Sequence, residues 1–187
     1  MEKNQANIYA LLDQLRLRKA MYLGNDFTFK SLDSFISGFT MAASGWQLQT
    51  KEYPDFSYFS TWLLGHLKSH FGLGGGWCWQ ISNRHPGDDA GAFEEFFYFL
   101  DVFKSSSTYK KYIIVDKDAS VNQRPSKIIL TTMDNSATVW LDYLDGNGDT
   151  ILANEWFINL DEAMNSLKRE FGSFQHEWIV ADSINNA

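Results

Sequence analysis

Cysteine is nearly missing from this sequence: Cys78 stands alone among 187 residues. A lone thiol excludes a disulfide framework within the chain and fits a reducing compartment. Long apolar runs are missing too. No stretch of about 18 apolar residues occurs, so no membrane-spanning helix is expected. The opening MEKNQANIYALLDQ has no uninterrupted apolar core, so no secretory signal is expected. These absences together predict a soluble, cytoplasmic protein. Repeats and low-complexity segments are also lacking. Basic residues are scarce in the last third, where residues 128–187 hold 2 basic and 10 acidic groups. Such a segment repels phosphate, which argues against nucleic acid as its partner. It favours a basic protein, because complementary potentials speed association. The plainer reading of the same charge, at −7 for the whole chain, is solubility.

What the chain has in abundance is rings: 15 Phe, 8 Tyr and 7 Trp. That exceeds what a small core needs and points to rings at a surface that meets a partner. At this length folding buries roughly 70% of the unfolded surface, so one good-sized domain or two small lobes need no covalent staple.

Apolar spacing predicts helices through residue 107. Ile8, Leu11, Leu12 and Leu15 form one stripe over residues 5–18. Leu32, Phe35, Ile36 and Phe39 form a second, with Thr28 or Ser31 as cap and Gly45 as its end. Pro54-Asp55 opens a third, with Phe56, Phe59, Leu63, Leu64 and Leu67 facing inward. The rings Phe93, Phe96, Phe97, Phe99 and Phe103 nearly encircle a fourth over residues 90–103, which marks it as the most buried helix. KSSST, residues 104–108, is a joint. Beyond it the period falls from 3.6 to 2, and YKKYIIVDK, KIILTTM, VWLDYL and TILANEWFI read as strands. DGNGD, residues 145–149, supplies hairpin-turn glycines. NLDEAMNSLKREFG is a helix with Asn159 as cap and Gly172 as terminator. HEWIVAD can add a short last strand. The expected fold is α+β: a helical lobe of about four helices over residues 1–107, then an antiparallel meander with one packed helix over residues 108–187, together one compact domain.

Several segments invite a chemical reading. His66 and His70 are four apart on one helix, a spacing that can hold zinc, with Cys78 and His85 as further donors. No His-Glu-x-x-His signature accompanies them. Two histidines on a polar helix face are the simpler reading, and no metal or cofactor is expected. Asp145, Asn147 and Asp149 resemble the start of a calcium loop. Thr150 and Trp156 stand where its glycine and glutamate should, which excludes calcium. Gly72, Gly74, Gly75 and Gly76 lack a following Lys-Ser or Lys-Thr, so they do not form a P-loop. Cys78 lies between Trp77 and Trp79, where a buried thiol is inert. The acidic pairs Asp88/Asp89 and Glu94/Glu95 carry no acid–base signature of their own.

The run RLRKAMYLGN, residues 16–25, resembles the Arg-Pro-Gly-Met-Tyr-Ile-Gly run of GHKL ATPases. That family also needs an Asp-x-Gly-x-Gly loop, and Asp145-Gly146-Asn147-Gly148-Asp149 has its glycines at the wrong offsets. The run therefore reads as a helix end that packs Met21, Tyr22 and Leu23 into the lobe. A second resemblance is broader. RKAMYLGN with SLDSFISGF, FGLGGGWCWQIS with AFEEFFYFLDVF, and VWLDYLDGNGDTILANEWFINLDEAMNSLKREFG are together similar to small bacterial immunity proteins. Those proteins neutralise polymorphic or contact-dependent growth-inhibition toxins. Ala20 departs from the pattern, which has Pro-Gly there. The resemblance implies a non-enzymatic inhibitor that binds a cognate toxin domain, a basic nuclease being the natural target of an acidic, aromatic surface. Two patches are the expected contacts: Asp88, Asp89, Glu94 and Glu95 at the start of the fourth helix, and Asp142, Tyr143, Asp145, Asp149 and Trp156 about the hairpin. The competing class is a small enzyme or metal-dependent hydrolase built on His66, His70 and Cys78. Oligomeric state is left open.

Overall fold

The structure is a computed structural model, and it describes residues 7–45, 54–68, 76–114, 125–145, 151–172 and 178–180. The fold is α+β, with helices first and an antiparallel sheet after them. Two compact units emerge: Met1–Ser60 with Phe71–Ser105, and Thr61–His70 with Ser106–Ala187.

The first unit is helical. Helix α1 (Ile8–Leu17) is capped by Asn7, whose side chain accepts from the Ala10 N–H at 3.0 Å. Its stripe of Ile8, Leu12 and Leu15 is buried. A separate short helix, α2 (Lys19–Leu23), follows at once and ends at Gly24, whose φ of +85° suits glycine. Tyr22 there stacks edge-on against Phe35. Met21, expected inside the lobe, is instead 70% exposed. Helix α3 (Phe29–Gly45) starts with a reciprocal pair of bonds: the Ser31 N–H donates to Thr28 Oγ1, and the Thr28 N–H donates to Ser31 Oγ. A 3-10 turn (Phe56–Tyr58) leads into helix α4 (Phe59–His66), whose first two residues belong to this unit. Helix α5 (Trp77–Ser82) buries Trp77 and Ile81.

Helix α6 (Asp89–Lys104) buries Phe93, Phe96, Phe97, Phe99, Leu100 and Phe103, as its ring pattern requires. Phe96 touches Phe29, Phe59, Trp77 and Phe97, mostly edge to face. Such ring pairs add about 0.5–1.5 kcal/mol each beyond burial alone.

The second unit is built on a five-stranded sheet of order β4-β3-β2-β1-β5, with antiparallel pairing throughout. Its strands are β1 (Thr108–Ile114), β2 (Lys127–Met133), β3 (Val139–Leu144), β4 (Ile151–Phe157) and β5 (Ile179–Val180). Helix α7 (Leu160–Phe171) follows β4. Asn159 caps it through the Glu162 N–H at 2.9 Å, and Gly172, at φ +85°, ends it. Side chains alternate across a sheet, so register decides the layers. Ile113, Ile128, Leu130, Val139, Leu141 and Tyr143 share one face and form a core with Ala163 and Leu167 of α7.

The rest of α4 covers one end of the opposite face. The Trp62 indole N–H donates to the Asp134 carbonyl at 2.9 Å, and the Trp140 indole N–H donates to Thr61 Oγ1 at 3.0 Å. Gly65 makes that approach possible, since a Cβ there would meet the Ser136 hydroxyl and the Thr138 backbone nitrogen.

Candidate protein-binding surface

The sequence offered two acidic patches, and the structure gives their members different work. At the start of α6, Asp88 accepts from the Gly91 N–H at 3.0 Å as the helix cap. Asp89 accepts from the Phe29 N–H at 2.9 Å. Glu95 takes Arg84 at 2.9 Å and His85 at 3.0 Å, and its side chain is mostly covered. Three of the four acids are thus tied into local structure, which reduces what they offer a partner. Glu94 is exposed.

About the hairpin the register separates the candidates. Asp142 and Tyr143 are neighbours in β3 and therefore point to opposite faces. Tyr143 was expected beside the turn as a contact ring. It is 5% exposed, within the core under α7, and its hydroxyl donates to Glu155 Oε2 at 3.1 Å. Burial, then the Glu155 charge and hydrogen bond, push its phenol well above the ordinary range. A buried, hydrogen-bonded ring is a core residue, and Tyr143 leaves the patch. Asp145 is half-buried, with its carbonyl accepting from the Ser126 hydroxyl. Asp149 lies outside the described residues.

Asp142 and Trp156 do come together. Asp142 pairs with Asn154 of β4, and Trp140 pairs with Trp156, so the acid and the Trp156 ring are diagonal neighbours on the face away from α7. Across β2, Ile129 is opposite Asp142 and Tyr112 is opposite Ile129. The same face carries Ile114 and Ile179, exposed at 57% and 46%. Trp140 and Leu144, on either side of Asp142, are buried, so this is a partly exposed apolar sheet surface with one carboxylate set into it.

Asp142 is half-buried and makes no hydrogen bond or ion pair among the described residues. Burial raises its carboxyl above the usual range, and the Lys110 charge only partly opposes that. Lys127 stands diagonally across β2 from Asp142, but its ammonium lies 4.6 Å over the ring of Tyr112, on the other side. The outer edge of β4 has no backbone partner among the described residues.

The enzyme-class candidates are scattered. His66 Nδ1 lies 2.8 Å from the Asn135 carbonyl, and its ring stacks on Trp62 at 4.7 Å. His85 is paired with Glu95, and His70 lies outside the described residues. Cys78 is half-buried, and burial, with the Asp33 charge second, raises its thiol. Among the described residues no three His, Cys, Asp or Glu side chains gather as a metal site. None of the described helices is long and apolar enough to cross a membrane. Comparison with protein-family models, characterised proteins and solved structures finds no match to this chain.

Sequence reasoning overlooked Ile114, Ile129 and Ile179 as surface residues. The signal was present. YKKYII and KIILTT are strands, so once one face is assigned to a helix the other parity must face away from it.

Proposed function

We propose that this chain is an immunity-type protein that binds and neutralises a basic toxin domain in the bacterial cytoplasm. One observation carries the reading: a partly exposed apolar sheet face in which half-buried Ile129 and Trp156 neighbour an unpaired carboxylate, with exposed isoleucines farther out on it. Apolar patches of this kind, rimmed by polar groups, mark interaction sites. A folded monomer gains nothing from an unpaired acid set among apolar side chains. The β3–β4 side of the face lies in the segment with 2 basic and 10 acidic groups, which suits a cationic partner there, while Lys110 and Lys127 stand on its β1 and β2 side. The same charge disfavours nucleic acid, and binding of this kind calls for no cofactor or metal.

The test is co-expression with the toxin domain encoded by the adjacent reading frame. The proposal expects a complex that survives gel filtration and restored growth of the toxin-expressing cells. Undiminished toxicity with no complex would overturn it.

A further inference from the structure

Asp142 lies on β3, one strand in from the β4 edge of this face, and its neighbours define what can reach it. Cross-strand partners lie about 4.5–5.5 Å apart and diagonal ones about 7–8 Å. Ile129 and Asn154 are the cross-strand partners, and Trp156 is diagonal. A side chain placed over the carboxylate would therefore rest its stem on Ile129 and its flank on the Trp156 ring. Those are the surroundings a guanidinium prefers: a carboxylate for its donors and an aromatic face for its plane. The described cations leave the acid unpaired. Lys110 sits two strands away on β1, opposite Thr131 and so in line with Trp140. Lys127 is drawn over Tyr112. An apolar side chain would leave the carboxylate desolvated without compensation, and an acidic one would repel it.

We infer that Asp142 is the anchor for an arginine of the protein partner, held between the carboxylate and the Trp156 ring on the open face of the sheet. The inference rests on the proposed role as a binding protein and specifies what the partner must present. Charge decides against a second copy as the occupant, because each copy carries −7 and brings its own surplus of acid.

The cost of holding this acid in the free protein gives a signature that a structural residue would not show. Burial keeps the proton on Asp142 to higher pH in the folded chain than in the unfolded one. Its contribution to stability is therefore lost as pH rises through the raised carboxyl range. Asp142→Asn cannot ionise. At pH 7 the variant should match or exceed wild type in denaturant midpoint, and it should gain less than wild type on acidification. A structural aspartate would give the opposite, a lower midpoint in the variant.

The experiment titrates the whole chain with acetyl-Val-Arg-Val-amide and watches the Trp156 indole N–H by NMR. The citrulline counterpart has nearly the same shape without the charge. The expected result is a saturable shift with the arginine peptide, weakened roughly tenfold or more by Asp142→Asn and by the citrulline exchange. No shift, or equal shifts from both peptides or in both proteins, overturns the anchor. So does a dimer, seen by sedimentation, that closes this face against the peptide. The co-expressed toxin separates the two levels. A toxin complex unaffected by Asp142→Asn leaves the immunity role standing and removes the anchor. Peptide binding without any toxin complex does the reverse.

Discussion

Replacing Gly65 with alanine adds one methyl group in α4, and its effect follows from three distances. The new Cβ would lie 2.3 Å from Ser136 Oγ, 2.8 Å from Thr138 Cγ2 and 2.8 Å from the Thr138 backbone nitrogen. Ser136 has little freedom to yield. Its hydroxyl donates to the Trp62 carbonyl at 3.0 Å, lies 2.8 Å from Thr138 Oγ1 and accepts from the Thr138 N–H at 3.3 Å. The Thr138 nitrogen is backbone and moves only if β3 moves. Helix propensity favours alanine by about 0.5–1 kcal/mol. Overpacking opposes it by about 1–3 kcal/mol. Each hydrogen bond lost by the serine adds about 0.5–1.5 kcal/mol. The clash wins, and with one bond lost the net loss is about 0.5–4 kcal/mol. With a urea slope of about 1–3 kcal/mol per molar, the midpoint falls visibly. Gly38 in α3 is the control. It is exposed, and a Cβ there meets nothing within 4 Å. Gly38→Ala should therefore raise stability by about 0.5–1 kcal/mol. One chemical change thus gives opposite signs at two helical sites. Urea unfolding followed by tryptophan fluorescence measures both. A Gly65→Ala protein as stable as wild type would refute the close approach of α4 to the β2–β3 turn.

Phe96→Ala should cost about 3–5 kcal/mol, because the ring is fully buried among four other rings. A loss under about 1 kcal/mol in the same assay would contradict that packing. Cys78 should react with a disulfide reagent at pH 7 roughly tenfold or more slowly in the folded chain than in urea, because burial raises its thiol. Its labelling rate should keep rising beyond the pH at which that of the unfolded chain levels off. Equal rates in the two states would show a freely exposed thiol.

Some of this fold is legible residue by residue. Helix α7 announces itself through Asn159, Asp161 and Glu162 at one end and Lys168, Arg169 and Gly172 at the other, because caps and the helix dipole act locally. Helix α6 is legible because its rings sit on nearly every side. The break between α1 and α2 at Arg18 carries no such mark, since neighbouring basic residues continue a helix well. Gly65 was equally silent: a close approach depends on residues some seventy positions away. The candidate surface was half legible. VWLDYL itself places Asp142 and Tyr143 on opposite faces, so one patch could never hold both. Which face took the helix depended on α7 packing, and which ring of β4 lay near Asp142 depended on the register shift beside Tyr143 and Leu144.

The two indole bonds that fasten α4 to the sheet span 72 and 79 positions of sequence. A ribosome adding about 5–20 residues per second needs roughly 4–16 s to make that much chain. Trp62 therefore leaves the ribosome long before the Asp134 carbonyl exists to receive its N–H. For those seconds a large apolar ring has no place to go within its own sheet. A chaperone that recognises apolar helices would find its window in that interval, and slow codons placed between residues 66 and 134 would lengthen it.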